Sequence, residues 1–160
     1  MPISFKPMTS ESARSILSWR YGEPYELYNP DPANLIDDLA ALTDPAYHYY
    51  AINGEDGSLI AFCCFGEDAQ VRGGNYAAPA LDVGIGMRPD LTGRGQGAAL
   101  IRDVLEWGKQ VFGPTAFRCT VAAFNKRAQK ACRQNGFRKS ATFRRPSDKQ
   151  QFLIFTRAKK

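Results

Sequence analysis

The chain has little of what builds a metal centre or a stapled fold. Histidine occurs once in 160 residues, as His48, and cysteine four times, as Cys63, Cys64, Cys119 and Cys132, with no CxxC pair. A structural zinc site draws four Cys or His ligands from closely spaced pairs, so no metal is expected. Adjacent Cys63 and Cys64 lie in the apolar run SLIAFCCF, where cysteine behaves as a small buried hydrophobe, and unpaired thiols suit a reducing cytoplasm. Long apolar runs are missing as well. None approaches the ~20 residues of a membrane span, and the N-terminal MPISFKPMTS has no hydrophobic signal segment. A cytoplasmic protein without membrane contact is the expectation.

What is present fits one domain, residues 1–160, with a core large enough to stand without staples: 44% of residues are hydrophobic and 12% aromatic. The 21 Lys and Arg exceed the 16 Asp and Glu by five, which suits an anionic partner. No basic stripe interleaved with aromatics accompanies the excess, so no nucleic acid is expected.

Hydrophobic periodicity and punctuation give an order of elements. Residues 3–8 alternate as a strand. Thr9-Ser10-Glu11 opens a helix whose spacing through Arg20 runs to Tyr21-Gly22, and Asp31-Pro32 opens a second helix with Leu35, Ile36, Leu39 and Leu42 facing inward. Two strands, 47–52 and 58–65, flank the hairpin separator Asn53-Gly54-Glu55-Asp56-Gly57. Residues 66–79 read as loop. The strand 80–88 carries Gly84 and Gly86, a density that marks a bulge or a close approach of a ligand to the backbone. A helix follows Gly97, a strand covers 116–121, a helix lies between Asn125 and Asn135-Gly136, and strands 137–144 and 150–156 close the chain. The order β-α-α-β-β-β-α-β-α-β-β predicts a mixed α/β sheet.

The segment Thr92-Gly93-Arg94-Gly95-Gln96-Gly97-Ala98 stands between a strand and a helix. Glycine-rich backbone at the positive end of a helix dipole is an anion seat. A P-loop would require Gly-Lys-Ser/Thr, which is absent. Gly93, Gly95 and Ala98 satisfy the letter of a dinucleotide-binding fingerprint, but no acidic residue ends a strand ~20 residues on. Too little chain remains after the loop for the rest of that fold.

Together with Asn125-Lys-Arg-Ala128-Gln-Lys-Ala-Cys132-Arg-Gln-Asn-Gly136-Phe137, the glycine segment resembles the two signatures of the GNAT superfamily of acyl-CoA N-acyltransferases. The resemblance runs from about Leu81 to Phe137, with Thr92 where the family has Gln or Arg, and Cys132 where it commonly has Tyr. It implies a mixed, mostly antiparallel α/β (α+β) sheet flanked by about four helices, with a splayed strand pair holding acyl-CoA. On that resemblance Ile85, Gly86 and Met87 pair with the pantetheine arm, Thr92, Gly93, Arg94, Gly95, Gln96, Gly97 and Ala98 hold the pyrophosphate, and Asn125 contacts the arm while capping its helix.

The implied reaction is direct attack of an amine on acetyl-CoA in a ternary complex. Asp82, at the point of the strand where many relatives have Glu, is the candidate general base. The Met87 backbone N–H is the candidate oxyanion donor, and Cys132 the candidate acid for the departing thiolate, with a shorter reach than a phenol. The acceptor is a small amine or a protein N-terminus, for which Trp19, Tyr21, Tyr25 and Tyr28 offer aromatic faces beside Glu23 and Glu26. A homodimer is a further implication of the resemblance. The departures at Thr92 and Cys132 leave open an idle domain that binds acyl-CoA without turnover.

Overall fold

The computed structural model describes residues 2–159. The strands are β1 (Ser4–Pro7), β2 (Tyr49–Asn53), β3 (Leu59–Phe65), β4 (Leu81–Met87), β5 (Phe117–Ala122), β6 (Arg138–Arg144) and β7 (Gln151–Arg157). The helices are α1 (Ser10–Leu17), α2 (Leu35–Thr43), α3 (Gly97–Phe112) and α4 (Lys126–Gln134). The strand order is β1-β2-β3-β4-β5-β7-β6. The one parallel pairing recorded is β4 with β5; β1–β2, β2–β3, β5–β7 and β6–β7 are antiparallel. Order and type of elements follow the sequence expectation, and the mixed, mostly antiparallel α/β architecture with four helices is the one the resemblance implies.

The chain forms two compact units, residues 2–64 with 85–92, and residues 65–84 with 93–159. In the first, Thr9 caps α1 by accepting from the Ser12 amide at 3.1 Å, and Ala13 and Ile16 face inward. The helix ends at Leu17, short of the Tyr21-Gly22 that the spacing predicts. Beyond the stop, the Arg20 guanidinium donates to the carbonyls of Leu17 and Trp19 at 2.8 and 2.7 Å, satisfying acceptors that the helix end leaves free. In α2 only Leu42 is buried; Leu35 is 44% and Ile36 82% exposed, against the expectation that both face inward. Successive helical residues turn by about 100°, so Ile36 sits well off the Leu42 face. The hairpin after β2 closes with Gly54 N–H donating to Ser58 O at 2.9 Å and Gly57 at φ +84°. A Cβ on Gly86 would overlap the Phe62 ring. Within this unit the glycine makes room for an aromatic of β3.

In the second unit, Leu100, Ile101, Val104, Leu105 and Gly108 form the buried face of α3. A Cβ on Gly108 would stand 2.8 Å from Phe65 and 3.2 Å from Phe117, so its lack lets the helix sit close to both rings. Strand β7 is buried from Phe152 to Phe155, while β6 is exposed along most of its length and shifts register between Lys139 and Ala141. Such a bulge and a row of charged side chains protect a sheet edge from pairing with other chains. Among the described residues no helix is long and apolar enough to cross a membrane.

Candidate active site

The glycine segment follows a turn of 3-10 helix, Pro89–Leu91, on which Thr92 is fastened by its hydroxyl, donating to Pro89 O at 2.7 Å. Gly93 and Gly95 take φ of +74° and +76°, a left-handed conformation open to glycine and costly for other residues. Gln96 is the N-cap of α3, and no side chain caps the helix. The amides of the first turn at Gly97 and Ala98 therefore point outward at the positive end of the dipole. Gly93, Arg94 and Gly95 are exposed. The Arg127 guanidinium lies beside the loop, where a Cβ on Gly93 would come within 2.6 Å of Nη1. This cradle of left-handed glycines, open amides and a guanidinium fits a pyrophosphate.

The backbone of β4 has two edges. Gly66 N–H donates to Asp82 O at 2.9 Å, and Arg88 N–H donates to Ile60 O at 2.8 Å, so even-numbered residues direct their polar groups to β3. Leu81 N–H donates to Ala116 O at 2.8 Å in the other direction. The ladder with β5 has two rungs, Leu81 with Phe117 and Asp82 with Arg118. By alternation Ile85 and Met87 direct their N–H groups away from β3. Met87 O accepts the Tyr21 hydroxyl at 2.6 Å.

Asp82 is buried, and both of its oxygens are taken. Arg118 Nε reaches Oδ1 at 2.6 Å, Nη2 reaches Oδ2 at 2.8 Å, and Gln70 Nε2 donates to Oδ2 at 2.9 Å. The same guanidinium donates to Ala78 O at 2.8 Å and stands 5.0 Å from the Tyr76 ring centroid. The carboxylate holds the arginine's pKa above its ordinary value, chiefly through that hydrogen bond. Tyr76 in turn accepts from the Val71 amide and shares a 2.9 Å hydrogen bond with Thr120. Both oxygens of Asp82, the expected base, are thus held by Arg118 and Gln70. Arg118, Gln70 and Tyr76 were missed by sequence reasoning. The available signal was that Asp82 and Arg118 are each the one ionisable carboxylate or guanidinium inside an otherwise apolar strand stretch, LDVGIGM and FRCTVA.

Cys132 is buried on α4 and hydrogen-bonded to the equally buried Cys119 of β5. That bond lowers the pKa of the Cys132 thiol and raises that of Cys119. Asn125 caps α4 as expected, its Oδ1 accepting from the Ala128 amide at 3.1 Å. Of the acceptor candidates, Trp19 lies 6.1 Å from Phe62 between ring centroids, and Tyr21 meets Tyr28 edge-on at 6.3 Å. Tyr25 begins the 3-10 turn Glu26–Tyr28 that presents Tyr28 at 40% exposure. Tyr21, Tyr28 and Met87 thus come together in one unit.

Residues 11–137 match the acetyltransferase (GNAT) family. The chain belongs to that family. As a GNAT protein it is an acetyl-CoA-dependent acyltransferase, and the loop and β4 both lie within the matched residues. No curated relative matches the sequence. Among solved structures, this GNAT chain is similar to a chimera of the spermidine N-acetyltransferase SpeG from Vibrio cholerae with hSSAT, at 16% identity and TM-score 0.75, covering 99% of this chain and 96% of that one. It is similar also to AAC(6')-Ib in complex with ribostamycin and coenzyme A, at 14% identity and TM-score 0.76, covering 99% and 94%. At these identities the likeness is one of fold. Among the described residues of this GNAT chain no group of three or more His, Cys, Asp or Glu side chains could hold a metal ion.

Proposed function

We propose that the protein transfers the acetyl group of acetyl-CoA to a primary amine by direct attack in a ternary complex. The observation that carries this reading is the Met87 N–H directed off the edge of β4 away from β3, a few residues before the open amides of the glycine loop. In this arrangement Thr92 to Ala98, with Arg127, hold the CoA phosphates. Ile85, Gly86 and Met87 run beside the pantetheine arm, with Asn125 as a further contact. The Met87 N–H stabilises the oxyanion of the tetrahedral intermediate.

Charge supports a small cationic acceptor over a protein N-terminus. Between Ser10 and His48 seven carboxylates stand against two arginines, interspersed with Trp19, Tyr25 and Tyr28. Cations are held by carboxylates and by aromatic faces. The ammonium proton passes to water, since Asp82 is engaged by Arg118, and the CoA thiolate leaves without help from a protein acid. Cys132→Ala should accordingly change kcat by less than about threefold, because a true general acid supplies roughly 10²-fold or more. A loss of that larger size would return Cys132 to the role of proton donor.

The test of the function is release of free CoA thiol from acetyl-CoA across a library of mono-, di- and triamines and N-terminal peptides. Turnover with a cationic small amine is the expected result. A second reading, a domain that binds acyl-CoA without turnover, is favoured by the engagement of Asp82 and the burial of Cys132. Tight CoA binding with no thiol release from any amine would establish it.

A further inference from the structure

We propose that Tyr21 is a positioning residue that fixes the oxyanion donor and ties it to the acceptor loop. This inference rests on the Met87 reading above. Aromatic residues in that loop suggest contact with the amine, but the Tyr21 hydroxyl is already spent on Met87 O at 2.6 Å. The peptide to which that carbonyl belongs also carries the Arg88 N–H, which donates to Ile60 O at 2.8 Å. The Met87–Arg88 peptide is therefore pinned at both ends, by a loop on one side and a strand on the other. On the preceding side the Phe62 ring covers Gly86 so closely that a Cβ there would overlap it. With both flanks held, the N–H of Met87 has a fixed direction.

Tyr21 is itself held rigidly. Asn29 brackets its backbone, accepting from the Tyr21 N–H at 2.6 Å and donating to the Tyr21 carbonyl at 3.0 Å, and the Tyr28 ring packs against its edge. Burial pushes the phenol up to about 12, so it stays a protonated donor at neutral pH. That value also makes it a weaker acid than a thiol, which argues against a role as proton source for the leaving thiolate. The same residues that carry acceptor-facing rings thereby set the aim of the group that polarises the thioester. Misplacing a reacting group by an ångström can cost on the order of 10²-fold in rate.

The experiment compares wild type and Tyr21→Phe by isotope-edited infrared spectroscopy of acetyl-CoA labelled with 13C at the thioester carbonyl, bound without acceptor. Phenylalanine keeps the ring packing and removes only the hydroxyl. The expected result is a carbonyl stretch lowered on binding to wild type and returned most of the way to the free value in Tyr21→Phe. A kcat lower by roughly 10- to 100-fold, with acetyl-CoA affinity unchanged within about twofold, should accompany it. A wild-type stretch that does not move on binding would overturn the Met87 assignment and this proposal with it. A lowered stretch that is equal in wild type and variant would leave Met87 in place and overturn the role of Tyr21. Asn29→Ala, which frees the Tyr21 backbone without touching the hydroxyl, should move the stretch in the same direction, and no movement there would count against the tether.

Discussion

Arg118→Leu should lower stability by about 3–5 kcal/mol, the usual cost of removing one partner from a buried ion pair. For a chain of this length that is a fall of roughly 10 °C or more in the thermal midpoint. The cost arises on the Asp82 side. Its carboxylate would be left buried with the Gln70 amide alone, and Ala78 O would lose its 2.8 Å donor. Asp82→Leu combined with Arg118→Leu should recover much of the loss, since no charge then remains unpaired. The pair has a second consequence, because it occupies the second of the two rungs joining β4 to β5. If it holds the point where the ladder ends, the double variant regains stability but not activity. Asp82→Asn separates this from base catalysis: anchoring leaves the shape of the pH profile of kcat/KM unchanged, whereas loss of a true base removes its acidic limb. A double variant with wild-type activity would show that the ion pair serves stability alone.

That pair also marks the limit of what is legible in the sequence of this fold. Helices and strands were legible where apolar spacing was regular, as in α3, with its buried Leu100, Ile101, Val104 and Leu105, and where caps were explicit, as at Thr9 and Asn125. The glycine loop was legible because positive φ and open amides need glycine itself. Side-chain partnerships across long sequence separations were not legible. Asp82 and Arg118 lie 36 residues apart, Tyr21 and Met87 lie 66 apart, and no local pattern records either. The loop 66–79 showed no periodicity because polar anchors organise it: Gln70 on Asp82 and Tyr76 on Thr120. Gly86 illustrates a signal with a cause other than the bulge or ligand it suggests, since the residue that approaches its missing Cβ within the unit is Phe62. Ile36 failed for a simpler reason: six residues from Leu42, it points about 120° away from the buried face of the helix.

Gly95→Val should weaken CoA binding by at least about 30-fold, or roughly 2 kcal/mol. Two effects add. At φ +76° a β-branched residue is strained, so the loop would move to relieve it and the amides of the cradle would lose their common direction. The added methyls would also project into the open space around Gly95, where, its two chain neighbours apart, no atom of the described residues lies within 4 Å of an ideal Cβ and where a phosphate would approach. Gly95→Asn distinguishes the two, because asparagine tolerates the left-handed conformation while still filling space. An intermediate loss is expected for it. The decisive comparison uses a truncated donor, acetyl-N-acetylcysteamine, which carries the thioester and the end of the arm but no phosphate. If the loop serves the pyrophosphate, Gly95→Val leaves kcat/KM for this donor near the wild-type value while reducing that for acetyl-CoA steeply. An equal loss with both donors would mean that the substitution acts on the reacting end of the site, and the phosphate assignment of the loop would fall.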